Sequence, residues 1–94
     1  MGKEEVSLLL KKGGSFSTKL FIVRYLKSEL FRATIIVSKK TIPLSVNRNT
    51  FRRRIREMLR KAGLQGVSLA LITKREAPPP LLKEDVQIIL SRFR

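Results

Sequence analysis

The stretch Val46–Arg60, VNRNTFRRRIREMLR, packs six arginines into fifteen residues, with apolar side chains between them at regular intervals. That interval decides how the segment folds. An α-helix turns ~100° per residue. On that wheel Phe51, Ile55, Met58, Leu59 and Ala62 gather into a wedge of roughly 100°. Asn49, Arg52, Arg53, Arg56 and Arg60 form a second band of about the same width, centred away from the first. The segment therefore reads as a helix from Val46 to Ala62, with Ser45 as its N-cap and Gly63 at its stop. One face is apolar and turned inward, and one flank is cationic and turned outward. Glu57 lies off the cationic flank and can pair with Arg53 or Lys61 at i±4 spacing.

Mutual repulsion disfavours so many guanidinium groups on one segment, so a polyanion is the natural counterpart. The planar fork of Arg donates two hydrogen bonds at once to phosphate, and each phosphate neutralised releases condensed counterions. A solvated basic face with no partner is the plainer alternative. The density of charge speaks against it, as does Asn49, an uncharged amide set within the stripe.

Outward from this helix, Phe31–Ser38 alternates Phe31, Ala33, Ile35 and Val37 with Arg32, Thr34, Ile36 and Ser38, which reads as a strand with one apolar face. Phe16–Leu26, rich in β-branched and aromatic residues, reads as another strand. Its alternation puts Phe21, Val23 and Tyr25 on one face and Leu20, Ile22 and Leu26 on the other. Both faces are apolar, so one can pack on the core while the other remains available. The short link Lys27–Leu30 implies an antiparallel hairpin between these two strands. Lys39–Leu44, with Pro43, is a loop. Val67–Thr73 is almost wholly apolar and reads as a buried central strand. Three consecutive prolines then lead into a helix from Leu81 to about Phe93, with Leu82, Val86, Ile89 and Phe93 on one side. At the start of the chain, Met1–Lys12 reads as a short amphipathic helix ended by Gly13-Gly14. The order is α-β-β-α-β-α: an α+β fold, a small two-layer α/β sandwich in a single domain over residues 1–94.

Composition narrows the function. The 94 residues carry 21 Lys and Arg against 7 Asp and Glu, a net charge of +14. Nucleic acid is the leading partner for such a field and an anionic membrane surface the second. There is no cysteine and no histidine, which removes disulfides, thiolate metal sites and the commonest general base. The acids are scattered along the chain, which argues against a clustered carboxylate site. No apolar run approaches membrane-span length, and the N-terminus lacks a signal-peptide core. The expected location is the cytoplasm.

The stretch VSKK, followed shortly by VNRNTFRRRIRE, resembles the signature of the bacterial ribonuclease P protein family. Ser38, Lys39 and Lys40 match its first element. Arg48, Asn49, Arg52, Arg53 and Arg56 match its second, with Glu57 as the usual acid after the last Arg. The similarity extends upstream through KKGGSFSTKLFIVRY and downstream through the last strand and helix, covering nearly the whole chain. Two departures stand out: Thr50 replaces the second Arg of the Arg-Asn-Arg triplet, and Val6 and Leu10 stand where the family commonly has phenylalanines.

The resemblance implies that the protein is not itself the catalyst. A large RNA cleaves the 5′ leader from precursor tRNA with the help of metal ions, and the protein assists it. The protein would bind no cofactor of its own, and Mg2+ would accompany the RNA subunit. Its partners would be the ribonuclease P RNA and precursor tRNA, with no membrane and no small-molecule substrate. The implied fold has a left-handed β-α-β crossover through the arginine-rich helix, where the general rule would give a right-handed one. Lys39, Lys40, Arg48, Asn49, Arg52, Arg53, Arg56 and Arg60 would grip the catalytic RNA through its backbone and shape. A free sheet face with Phe16, Phe21, Val23 and Tyr25 would receive the single-stranded leader by stacking. Core packing is the alternative for Phe21 and Val23, and is the expectation for Phe31, Phe51 and Phe93.

Three other functions compete. A ribosomal or ribosome-associated RNA-binding protein would be equally small and basic. A basic amphipathic helix on a membrane fits less well, because Phe51 and Ile55 are needed for the core. An autonomous nuclease lacks its catalytic groups.

Overall fold

A computed structural model describes residues 11–93. The helix expected over Met1–Lys12 falls outside the described residues, except for Lys11 and Lys12, which are helical. Four strands and two helices follow: β1 (Gly14–Ser17), β2 (Phe21–Lys27), β3 (Arg32–Ile36), α1 (Ser45–Ala62), β4 (Val67–Thr73) and α2 (Pro79–Ser91).

The single strand expected over Phe16–Leu26 is in fact two, β1 and β2, paired antiparallel with Phe16 opposite Val23 and Gly14 opposite Tyr25. The turn between them has no Gly, Pro, Asn or Asp. Thr18 makes it instead: its N–H donates to the Phe21 carbonyl at 2.8 Å, and its Oγ1 accepts from the Phe21 N–H at 3.2 Å. Asp85, buried on α2, fixes the turn from outside by accepting from the Thr18 hydroxyl and, at 3.3 Å, from the Leu20 N–H.

The strand order is β1-β2-β4-β3. The hairpin expected between β2 and β3 therefore does not form: β4 lies between them, antiparallel to β2 and parallel to β3. Crossing one intervening strand needs about 9.5 Å, two interstrand spacings. The Ser28–Phe31 link reaches that far at ~3.3 Å per extended residue. The Ser28 N–H donates to the Gly66 carbonyl at 3.0 Å, and the Ser28 and Ser68 hydroxyls meet at 3.1 Å, so the link is stapled to the start of the strand it crosses. α1 joins the parallel neighbours β3 and β4.

Both helices cover one face of the sheet. Phe21 stacks against Phe51 of α1 with ring centroids 6.2 Å apart. On the same strand face, Tyr25 meets Phe93, just beyond α2. The core joins Phe21, Val23, Ile35, Leu69 and Leu71 of the sheet to Phe51, Ile55 and Leu59 of α1 and Leu82, Val86 and Ile89 of α2. β4 is buried almost throughout, as its composition predicts.

α1 differs from expectation at its start. Leu44, not Ser45, holds the N-cap position, and no side chain caps the first turn, which also lacks acids. The positive end of the helix dipole is thus left uncompensated. At the other end Gly63 adopts φ 67°, which favours glycine, and closes the helix as its sequence predicts. α2 begins two residues earlier than expected because Pro79 and Pro80 occupy its first positions.

Candidate nucleic-acid interface

α1 sorts its side chains as the 3.6-residue period requires. Phe51, Ile55 and Leu59 are buried, while Asn49, Arg53, Arg54, Arg56 and Arg60 are exposed. Packing on one side therefore aims the guanidinium groups of Arg53, Arg56 and Arg60 to the other, with Asn49 among them. Arg54 is also exposed but falls outside this band on the helical wheel.

Arg48 and Arg52 are different. Both are half-buried. Arg48 Nη1 donates to the carbonyls of Ile42 (3.0 Å) and Pro43 (2.8 Å), tying the incoming loop to the first turns of the helix. Arg52 Nε donates to the Ile35 carbonyl at 3.3 Å, fastening α1 to the edge strand β3, and its Nη1 reaches Asn49 Oδ1 at 3.4 Å. A guanidinium has five N–H donors, so each residue holds the fold with only some of them.

Lys39 and Lys40 are exposed in a turn built by Ser38. The Ser38 carbonyl accepts from the N–H groups of Thr41 and Ile42, both at 3.1 Å, and its hydroxyl meets that of Thr41 at 2.9 Å. Ile42, 1% exposed, plugs the loop into the core. The two ammonium groups thus precede the uncapped helix end in sequence, tied to it through the loop that Arg48 holds. Thr50, in place of a cation, turns its hydroxyl back to the Val46 carbonyl at 3.0 Å.

The sheet face expected to be open needs correction. Phe21 and Val23 are 0% exposed and lie under the helices, so neither is accessible to a single strand. Phe16 and Tyr25 share that covered face but sit at its margin, half-buried. Their rings lie 5.9 Å apart, and Phe93 closes the group at 6.0 Å from Phe16 and 5.4 Å from Tyr25. The Arg92 guanidinium stands 4.8 Å over the Phe16 ring, within cation–π range. Tyr25 also lies flat over its cross-strand partner Gly14, where an added Cβ would meet the ring at 2.5 Å. The face turned away from α1 and α2 carries the other parity: Ser15, Ser17, Ile22, Arg24, Leu26, Arg32, Thr34 and Ile36, with Ser68, Ala70 and Ile72 of β4 between them, of which Ser68 and Ala70 are buried. Ile22 is 38% exposed there. Alternation defined both sets of residues, but the position of the helices chose between them.

Among the described residues, no group of three or more His, Cys, Asp or Glu could hold a metal ion, and no helix is long and apolar enough to cross a membrane.

The ribonuclease P family model matches residues 2–93. A ribonuclease P protein component from Dehalococcoides mccartyi is 40% identical over 78 residues, covering 80% of this chain and 64% of that protein. The chain thus spans slightly less than two thirds of that relative's length. Among solved structures, the RNase P protein of Thermotoga maritima in complex with 1-(4-fluorophenyl)-2-thiourea superposes with a TM-score of 0.86 at 21% identity, covering 98% of this chain and 96% of that one. The Staphylococcus aureus RNase P protein gives 0.86 at 23% identity, covering 100% and 95%. At those identities the likeness concerns the fold.

Proposed function

Because the chain belongs to the ribonuclease P protein family, we propose that it is the protein component of a ribonuclease P. It holds a catalytic RNA against the cationic flank of α1 and assists removal of the 5′ leader from precursor tRNA. One observation carries the assignment. The buried row Phe51, Ile55 and Leu59 turns Asn49, Arg53, Arg56 and Arg60 outward together, at the end of a loop that presents Lys39 and Lys40.

The protein's part is electrostatic. Exposed guanidinium and ammonium groups neutralise phosphates where two RNAs approach each other, and a rigid helix sets their spacing in advance. The chemistry would belong to the RNA, and Mg2+ bound there would supply Lewis-acid activation. The cytoplasm, where transcripts are processed, is the compartment this role requires.

The leader lies on the sheet face turned away from the helices, along Ile22 and Arg24, rather than over Phe21 and Val23. A single strand laid on an open β-sheet is a recurrent mode of RNA recognition. The half-buried rings of Phe16 and Tyr25 with Arg92 favour a second location, at the sheet margin. The ratio of precursor to mature tRNA affinity separates the two. Ile22→Glu or Arg24→Gln lowers that ratio if the face turned away from the helices is used, and Tyr25→Ala lowers it if the margin is used.

The decisive experiment adds the purified protein to a bacterial ribonuclease P RNA at low magnesium and follows leader removal. Accelerated cleavage is expected. No acceleration, combined with co-sedimentation of the protein with ribosomes, would replace this function with a ribosomal one.

A further inference from the structure

Between the outer edge of β3 and the C-terminal half of α1 lies a pocket of about 290 Å³. Phe31, Ala33, Leu59 and Leu64 give it apolar walls, and Arg56 and Arg60 stand at its rim. We propose that this pocket receives one unpaired base of the catalytic RNA. The proposal rests on the function assigned above and adds a base contact to a flank otherwise read as gripping only the RNA backbone.

Three features point to a base. The first is size, at the small end of ligand pockets, suited to a single planar group rather than a stack. The second is charge. Arg56 and Arg60 belong to the same exposed stripe as Arg53 and Asn49, so a nucleotide entering here has its phosphates on the proposed surface and its base turned inward. That continuity selects the catalytic RNA, rather than the leader, as the source. The third is the exposed strand edge. Among the described residues β3 ends the sheet, with β4 on one side and no strand on the other. The Ile35 carbonyl, bonded to Arg52, is turned outward, and alternation along a strand turns the N–H and carbonyl of Ala33 the same way. Ala33 lines the pocket. A donor and an acceptor side by side, with the Phe31 ring beside them, match the hydrogen-bonding edge and the face of one base.

Chemical probing of the reconstituted complex tests this. Dimethyl sulfate, kethoxal and carbodiimide together report the Watson–Crick edges of all four bases, while hydroxyl radicals report the RNA backbone. In the wild-type complex one unpaired base of the catalytic RNA is expected to become protected beside the backbone footprint. Phe31→Tyr should keep that protection. Phe31→Ala should lose it, keep the backbone footprint, and bind roughly tenfold more weakly, as removal of one stacking partner does. A backbone footprint with no protected base in the wild-type complex would overturn the pocket and leave the assigned function standing, whether or not Phe31→Ala folds. Protection unchanged in Phe31→Ala, or found only on the leader, would overturn it equally. Absence of any footprint would overturn both.

Discussion

In the N-terminal half of α1, Arg48 donates to the Ile42 and Pro43 carbonyls and Arg52 to that of Ile35. In the C-terminal half, Arg56 and Arg60 are exposed beside an apolar pocket. The residue type is the same and the use differs. The first pair sets the position of the loop, the helix and the edge strand relative to one another. The second pair is presented by that arrangement. The number of arginines in a basic motif is therefore not the number available to a partner. Arg48 and Arg52 use part of their hydrogen-bonding capacity on rigidity, and a rigid surface loses less entropy on docking.

Both halves depend on the same anchor, so the largest effect comes from removing it. Ile55 is 0% exposed, midway along α1. Ile55→Ala should cost about 2–5 kcal/mol of stability, from lost burial plus the cavity left behind. Denaturant unfolding measures this directly. Catalytic-RNA affinity should fall with the folded fraction and recover where the variant is fully folded. A stability near wild type would mean that α1 is held by its arginines rather than by its apolar row.

A sharper comparison sets one arginine from each half against the other. Arg48→Ala removes two hydrogen bonds made by a charged donor, one to the part-buried Ile42 carbonyl and one to the exposed Pro43 carbonyl, and should lower stability by about 1–2 kcal/mol. Arg60→Ala should leave stability within about 0.5 kcal/mol, yet reduce the slope of log affinity against log salt by about 0.7–0.9, the signature of one lost phosphate contact. Unfolding curves and a salt titration on both variants decide the matter. If Arg60→Ala destabilises the chain and Arg48→Ala does not, the division between the two halves is wrong.

How much of this was legible in the sequence depended on how local each signal is. The buried and exposed sides of α1, the Gly63 stop and the buried β4 follow from residue spacing within one element, and all appear where that spacing puts them. The features missed are long-range. A four-residue link suits a hairpin, and nothing in Ser28–Phe31 reveals that Val67–Thr73 inserts beside it. The Thr18 turn is invisible because two of its hydrogen bonds come from Asp85, far along the chain. Phe21 and Val23 belong to a correctly identified set, but which set is covered is decided by α1 and α2 together. Within the arginine motif, charge marked Arg48 and Arg52 as contacts, and only the carbonyls of Ile35, Ile42 and Pro43 reveal that these two hold the loop and the edge strand.

The smallest effect is the most diagnostic. Arg52→Lys keeps the charge and the long aliphatic stem but loses the Nε–H that reaches Ile35 and the planar fork that spans from β3 to Asn49. If Arg52 chiefly neutralises a phosphate, lysine should serve nearly as well, and both stability and salt slope should be unchanged. If Arg52 chiefly fastens α1 to the sheet edge, the salt slope should stay constant, since the number of cations is the same. Stability should then drop by about 0.5–1.5 kcal/mol, the net worth of one hydrogen bond. Hydrogen exchange of the amides around Ile35 should quicken in parallel, because the edge strand opens more readily once its outward carbonyl loses the guanidinium. Unchanged stability together with unchanged exchange would instead place Arg52 with Arg56 and Arg60 as a charge that serves a phosphate.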